Sequence, residues 1–145
     1  MKRRKYCVYN QTRECFLSLG ATAADSTLAR LRGLIGKFSL KSDESLWLVP
    51  SSEVHPSGVF VPHDLIYLDE NHRVIHLVEH FSGFWVAPLR VLSESVLELG
   101  AHTIYSSQTQ VGDQLLICAA EEMDRYLNRS ASRTSGVADL IAGRG

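Results

Sequence analysis

Short apolar runs separated by polar turns dominate the chain, a pattern typical of a small β sandwich or barrel. The stretch YCVYNQTRECFLSLGATAA (6–24) predicts two strands around a polar turn at Asn10. The stretch DLIYLDENHRVIHLVEHF (64–81) predicts a hairpin whose turn, residues 69–72, consists of residue types that turns prefer. Further strands are predicted in LWLV (46–49), SVLELG (95–100) and QVGDQLLICA (110–119).

Two segments follow a helical pattern instead. In ADSTLARLRGLIGK (24–37), apolar residues from Leu28 to Ile35 recur at helical spacing, and Gly36 is a natural C-terminal stop. The segment AEEMDRYLNR (120–129) predicts a second, short helix near the C-terminus. The predicted fold class is therefore mainly β, a compact sandwich or barrel with one short helix packed on it and a C-terminal helix.

The last part of the chain is different in composition. Residues 130–145 are rich in Ser, Arg, Gly and Ala, which predicts a flexible tail after a single domain over residues 1–129. A sharper alternative is that VADLIA (137–142) is a short docking segment for a partner.

Composition excludes several classes of function. The chain has 145 residues and a formal net charge of −1, so it lacks the excess of basic residues that a nucleic-acid-binding surface needs. No run approaches the roughly 20 apolar residues of a membrane span, which favours a cytoplasmic protein. The three cysteines lack metal-binding spacing, and free thiols are expected, although a hairpin could bring Cys7 opposite Cys15.

Four segments together carry a resemblance to a known family. They are RLRGLIGK (30–37), LWLVPSSEVHPSGVFVPHDLIYLDENHRVI (46–75), VLELGA (96–101) and VGDQLLI (111–117). In order and spacing over residues 6–117, the chain resembles the DUF192 domain, a prokaryotic family without an assigned biochemical activity. The resemblance implies a compact fold of jelly-roll type with a short helix packed on it, and it implies no substrate and no catalytic residue.

The chain departs from the family pattern in one loop. A family loop of the type His-Thr-Phe-Gly-Met reads His55-Pro56-Ser57-Gly58-Val59, and Ser51 stands where the family often has a cysteine. The family's Pro-Ile-Asp reads Pro62-His63-Asp64. A chemistry that depends on that cysteine or methionine is therefore not expected here.

The histidines and the acid of this loop are the candidate chemical groups. His55, His63 and Asp64 are of metal-ligand type, but neighbours on a strand point to opposite faces, so only one of the last two could join His55. A metal site would then need a further ligand such as His102 or Glu98, and Asp64 and Glu98 could meet across strands. If Asp64 points inward, it needs a partner, and a bidentate pair with Arg32 is expected.

The sequence favours a non-enzymatic binding or accessory module over an enzyme. Its cleft is expected near residues 51–64 and would hold a small polar ligand or a protein partner, without cofactor or metal. The candidate cleft residues are Arg32, Ser51, His55, Gly58, Asp64 and Trp85. The alternative is a small metal-dependent or hydrolytic enzyme centred on His55, His63 and Asp64, and the resemblance leaves open a partner protein in secretion or pilus assembly.

Overall fold

The computed structural model describes residues 4–24, 44–49, 63–81 and 93–143 of the chain. Within these ranges the strands are β1 Lys5–Asn10, β2 Cys15–Ala24, β3 Glu44–Leu48, β4 His63–Leu68, β5 Val74–Phe81, β6 Ser95–Gly100 and β7 Leu115–Cys118. The helices are α1 Thr103–Ser107 and α2 Ala120–Ala142. The fold is mainly β, as predicted, while the helix predicted in residues 24–37 lies almost wholly outside the described residues.

The described strands form one curled sheet in the order β5-β4-β6-β3-β2-β1-β7. Neighbouring strands are antiparallel except β2 and β3, which run parallel. The two edge strands meet at one end, where Arg73 bridges to Gln114 and the Leu115 amide donates to the His72 carbonyl over 3.0 Å. The sheet is therefore a half-barrel, closed at this end by backbone hydrogen bonds.

Asparagine and aspartate side chains shape the two predicted hairpin turns. Asn10 is fully buried, and its amide oxygen accepts from the Arg13 backbone N–H over 3.0 Å. Asp69 accepts from the backbone N–H groups of Asn71 and Arg73 over 2.8 Å and 2.9 Å. Such hydrogen bonds from side chains to nearby amides hold the backbone in a turn. They explain why the residue types alone predicted both turns.

The core fills the concave face of the half-barrel. Its members come from six of the seven described strands, all but β3, and from α1: Val8, Leu17, Ala21, Ile66, Leu68, Val74, Leu97, Leu99, Ile104, Leu115 and Ile117. Along β4, residues on the opposite face are also buried, including Leu65 and Tyr67. Burial on both faces explains why DLIYL reads as a continuous apolar run rather than an alternating one.

The two helices differ from the prediction. Helix α1, between β6 and β7, was not predicted. Helix α2 continues to Ala142, well beyond the predicted end at Arg129, and packs on the sheet through Met123. Its residues 131–143 are exposed, and whether this segment moves in solution stays a prediction. Neither described helix combines the length and hydropathy that crossing a membrane requires.

The cysteines are free thiols, as predicted, but their placement is not the predicted one. Cys15 pairs with Asn10 in the hairpin register, whereas Cys7 lies opposite Cys118 of strand β7. The alternative in which the hairpin brings Cys7 opposite Cys15 is therefore wrong, because Cys15 lies opposite Asn10 and Cys7 is three positions further along β1. Cys118 is buried, as its apolar run predicted.

Candidate functional site

Most of the predicted cleft lies outside the residues that the structure describes. This holds for Arg32, Ser51, His55, Gly58 and Trp85. Asp64 is the predicted cleft residue that is described, together with its neighbour His63. The cleft near residues 51–64, and the Arg32–Asp64 ion pair, therefore stay predictions.

Asp64 joins three elements of the fold. It is fully buried on β4, next to β6, and its two carboxylate oxygens accept from different backbone amides. Oδ1 accepts from His80 N–H at the end of β5 over 3.1 Å, and Oδ2 accepts from Ile104 N–H in α1 over 2.9 Å. A buried carboxylate needs such partners. The side chain thus fixes the end of β5 and the start of α1 to the central sheet.

The register of the sheet separates the Asp64 side chain from those of Glu98 and His63. Asp64 lies opposite Leu99, while Glu98 lies opposite Leu65, so the two carboxylates are on different faces. The alternative in which Asp64 and Glu98 meet across strands is therefore wrong. His63 is buried as well, and alternation along β4 turns its side chain away from Asp64.

Two histidines meet beside Asp64. His80 Nε2 lies 3.2 Å from His102 Nδ1, and the ring centroids are 4.3 Å apart in an edge-to-face arrangement. Both side chains are exposed, and both backbones are left-handed, with φ of 53° and 71°. We call Asp64, His80, His102 and Ile104 the Asp64 end of β4. Sequence reasoning considered His102 as a metal ligand, but it missed the pairing with His80, which depends on the non-local contacts of Asp64.

The other end of β4 borders a small pocket of about 220 Å³, the Trp47 pocket. It is lined by Trp47, Val49, Asp69, Glu70, His72, Glu94 and Ser95. The Trp47 ring contacts the edges of its neighbours, with centroid distances of 5.6 Å to Tyr6 and 5.5 Å to His72. Strands β3 and β6 and the β4–β5 turn contribute to this pocket, so no single stretch of sequence signals it.

Two buried polar atoms of this pocket's lining residues have no hydrogen bond to any residue that the structure describes. Among the described residues, neither the Trp47 Nε1–H nor the Ser95 hydroxyl has a partner. Native proteins rarely leave buried polar groups unpaired, so each such group calls for a physical reason such as water or a ligand. The lining also carries three acidic side chains, Asp69, Glu70 and Glu94.

Burial changes the titration of two residues near this end. Burial lowers the pKa of His72 below its usual value, and the neighbouring Asp69 carboxylate partly opposes the shift. Burial raises the pKa of Tyr67 to about 12, and Glu98 adds to the shift. The shift of the His72 pKa favours the uncharged form of this ring.

In the described part of the chain, no three histidine, cysteine, aspartate or glutamate side chains converge as a metal site would require. His55 lies outside that part, so a three-ligand metal centre that includes His55 stays a prediction. Within the described residues, His80 and His102 at the Asp64 end place two imidazole nitrogens close enough to bind one metal ion together.

Comparison with known proteins gives a family and a fold. The model of DUF192, a family described as Uncharacterized ACR, matches residues 8–117. A provisionally assigned transcription regulator from Sinorhizobium meliloti 1021 is similar in structure, with a TM-score of 0.65 and 16% identity over 80% of this chain and 94% of its own. A protein of unknown function from Novosphingobium aromaticivorans DSM 12444 gives a TM-score of 0.63 and 16% identity over 77% and 83%. No curated protein matches significantly. At this identity the two structures support the fold alone.

Proposed function

This chain belongs to the DUF192 family, and we propose that it is a non-enzymatic binding or accessory module. Its cleft would lie near residues 51–64, beside Asp64, and would accept a small polar ligand or a segment of a protein partner. From the sequence, we further propose that the protein uses no cofactor, binds no nucleic acid and is cytoplasmic.

The observation that carries this proposal is how Asp64 is used. Both of its oxygens accept backbone N–H groups, at 3.1 Å and 2.9 Å, and the side chain is fully buried. A general base must reach the proton that it removes, and a metal ligand must present a free lone pair to the ion. A carboxylate that is fully buried and accepts a backbone N–H at each oxygen suits a structural role better than either task, and we infer that it makes one rim of the proposed cleft rigid.

A small enzyme centred on His55, His63 and Asp64 is the alternative. It requires His55 to converge with a histidine and an acid that are adjacent on one strand. Because adjacent strand residues point to opposite faces, His55 could reach only one of them. The alternative therefore lacks a complete acid–base or metal-ligand set in the residues that motivated it.

The test is a thermal-shift screen of the full chain, purified without a histidine tag, against small polar metabolites, with metal content measured in parallel. A ligand at about 100 times its Kd stabilises the folded state by about 2.7 kcal/mol. For a chain of this length that corresponds to a rise in Tm of roughly 5–10 °C. The proposal expects such a rise for one class of metabolite, and expects His55→Ala to remove it while His76→Ala, at a half-buried position on β5, leaves it.

Two results would count against this proposal. Stoichiometric metal that is lost in His55→Ala would favour the enzyme, as would turnover of a substrate that His55→Ala abolishes. A screen without any rise in Tm would exclude the small-ligand form and leave a protein partner, for which the next experiment is a binding assay with and without residues 130–145.

A further inference from the structure

We propose that His80 and His102 form a binding site for one divalent transition-metal ion of the zinc or copper class. The inference goes beyond the proposed function and does not depend on it. It rests on the distance between the two rings, on the way in which their backbones are fixed, and on the exposure of both side chains.

The distance between the ring nitrogens suits a shared ion. His80 Nε2 and His102 Nδ1 are 3.2 Å apart. Two imidazole nitrogens bound at 2.0–2.1 Å to a tetrahedral zinc ion are separated by about 3.3 Å. A small rotation of each ring, which the exposed positions allow, would point both lone pairs at one ion without moving the backbone.

Hydrogen bonds from the backbone to Asp64 hold the two histidines in this arrangement. Asp64 accepts the N–H of His80 itself, and it accepts the N–H of Ile104, two residues after His102. Both histidines adopt the left-handed backbone conformation, which is uncommon for residues other than glycine. Strained backbone of this kind persists only where the surrounding structure maintains it, and it is concentrated at functional sites.

In the metal-free protein, a hydrogen bond between the rings accounts for the same distance. That bond needs one N–H and one lone pair, so it requires a neutral acceptor ring, which is also the form that binds metals. When an ion binds, the donor ring would carry its proton on its other ring nitrogen, the second neutral tautomer, so that both facing nitrogens offer a lone pair to the ion. Since no third protein ligand joins the pair among the described residues, water would complete the coordination, and the site would be weak and exchangeable.

The test is calorimetric titration of the untagged full chain with Zn²⁺ and Cu²⁺, with Mg²⁺ as the negative control. We expect binding of one ion of Zn²⁺ or Cu²⁺ and no binding of Mg²⁺. His80→Asn and His102→Asn should each weaken binding at least tenfold, and asparagine tolerates the left-handed conformation of both positions. The matched control His76→Gln removes another histidine of β5 and should change the affinity less than twofold.

A second measurement needs no variant. Addition of Zn²⁺ to isotope-labelled wild-type protein should shift the ring resonances of His80 and His102 more than those of the other four histidines. The absence of binding for both ions overturns the proposal. So does an affinity that is unchanged in both His80→Asn and His102→Asn, which would place the ion at other histidines.

Discussion

The two ends of strand β4 border regions whose buried polar groups differ in hydrogen bonding. At the Asp64 end, each carboxylate oxygen accepts a backbone N–H within 3.1 Å. At the Trp47 pocket, the indole N–H and the Ser95 hydroxyl are enclosed without a hydrogen bond to any described residue. The first region uses a polar side chain to join elements of the fold, whereas the second encloses polar groups that no described residue pairs.

This difference has a direct consequence for stability. Removing a well-paired buried group leaves its partners unsatisfied, which costs about 1–3 kcal/mol for each of them. Removing a buried polar group that has no partner relieves a desolvation cost instead. Truncation of a polar side chain should therefore change the free energy of unfolding with opposite signs at the two ends of β4.

The largest effect is expected for Asp64→Ala. The substitution leaves the N–H groups of His80 and Ile104 without an acceptor, and we expect it to lower the free energy of unfolding by about 2–4 kcal/mol. Unfolding in urea, followed by circular dichroism, measures this change as a shift of the midpoint at constant slope.

Two further variants make that measurement specific. Asp64→Asn keeps one acceptor oxygen and should lose roughly half as much stability as Asp64→Ala. Asp139→Ala removes an exposed acid of α2 and should stay within about 0.5 kcal/mol of the wild type. If Asp64→Ala behaved like Asp139→Ala, Asp64 would not be the link between β5 and α1 that we describe.

How far the sequence predicts these two regions depends on the range of the interactions. The hairpin of β4 and β5 was predicted because its turn is built by Asp69 acting on amides two and four residues away. Helix α1 was missed because it has five residues, too few for an apolar stripe, and depends on Asp64, forty positions earlier. Local patterns therefore gave the strands, and non-local contacts decided the rest.

The same limit applies to the candidate sites. Asp64 was identified from its motif, and its need for a partner follows from the cost of burying a charge. The identity of its described partners could not be predicted, because they are backbone amides brought near by the fold. The Trp47 pocket combines residues of β3, the β4–β5 turn and β6, so neither its shape nor its unpaired atoms have a signature in the sequence.

The second prediction concerns the opposite sign at the Trp47 pocket. Ser95→Ala removes a buried hydroxyl without a partner, and we expect the free energy of unfolding to rise by about 1 kcal/mol. Ser45 is the matched control, since its hydroxyl is equally buried but donates to the Ser18 hydroxyl over 2.9 Å. Ser45→Ala should lower stability by about 1 kcal/mol under the same urea titration. A loss of stability in both variants would mean that Ser95 has a partner, such as a bound water, and the contrast between the two ends would weaken.

The smallest effect concerns His72, whose ring contacts Trp47 in the same pocket. Because burial holds its pKa in the folded protein below the usual 6.5, the unfolded chain binds more protons between the two values. The folded state therefore loses stability as the pH falls through this range, and His72→Asn, which suits the φ of 61°, should make that loss smaller. Urea unfolding of both proteins at several pH values between about 7.5 and 5 measures the two slopes. If the free energy of unfolding changed equally with pH in both proteins, burial would not shift the pKa of His72 in the folded protein. The Trp47 pocket would then resemble ordinary hydrated surface.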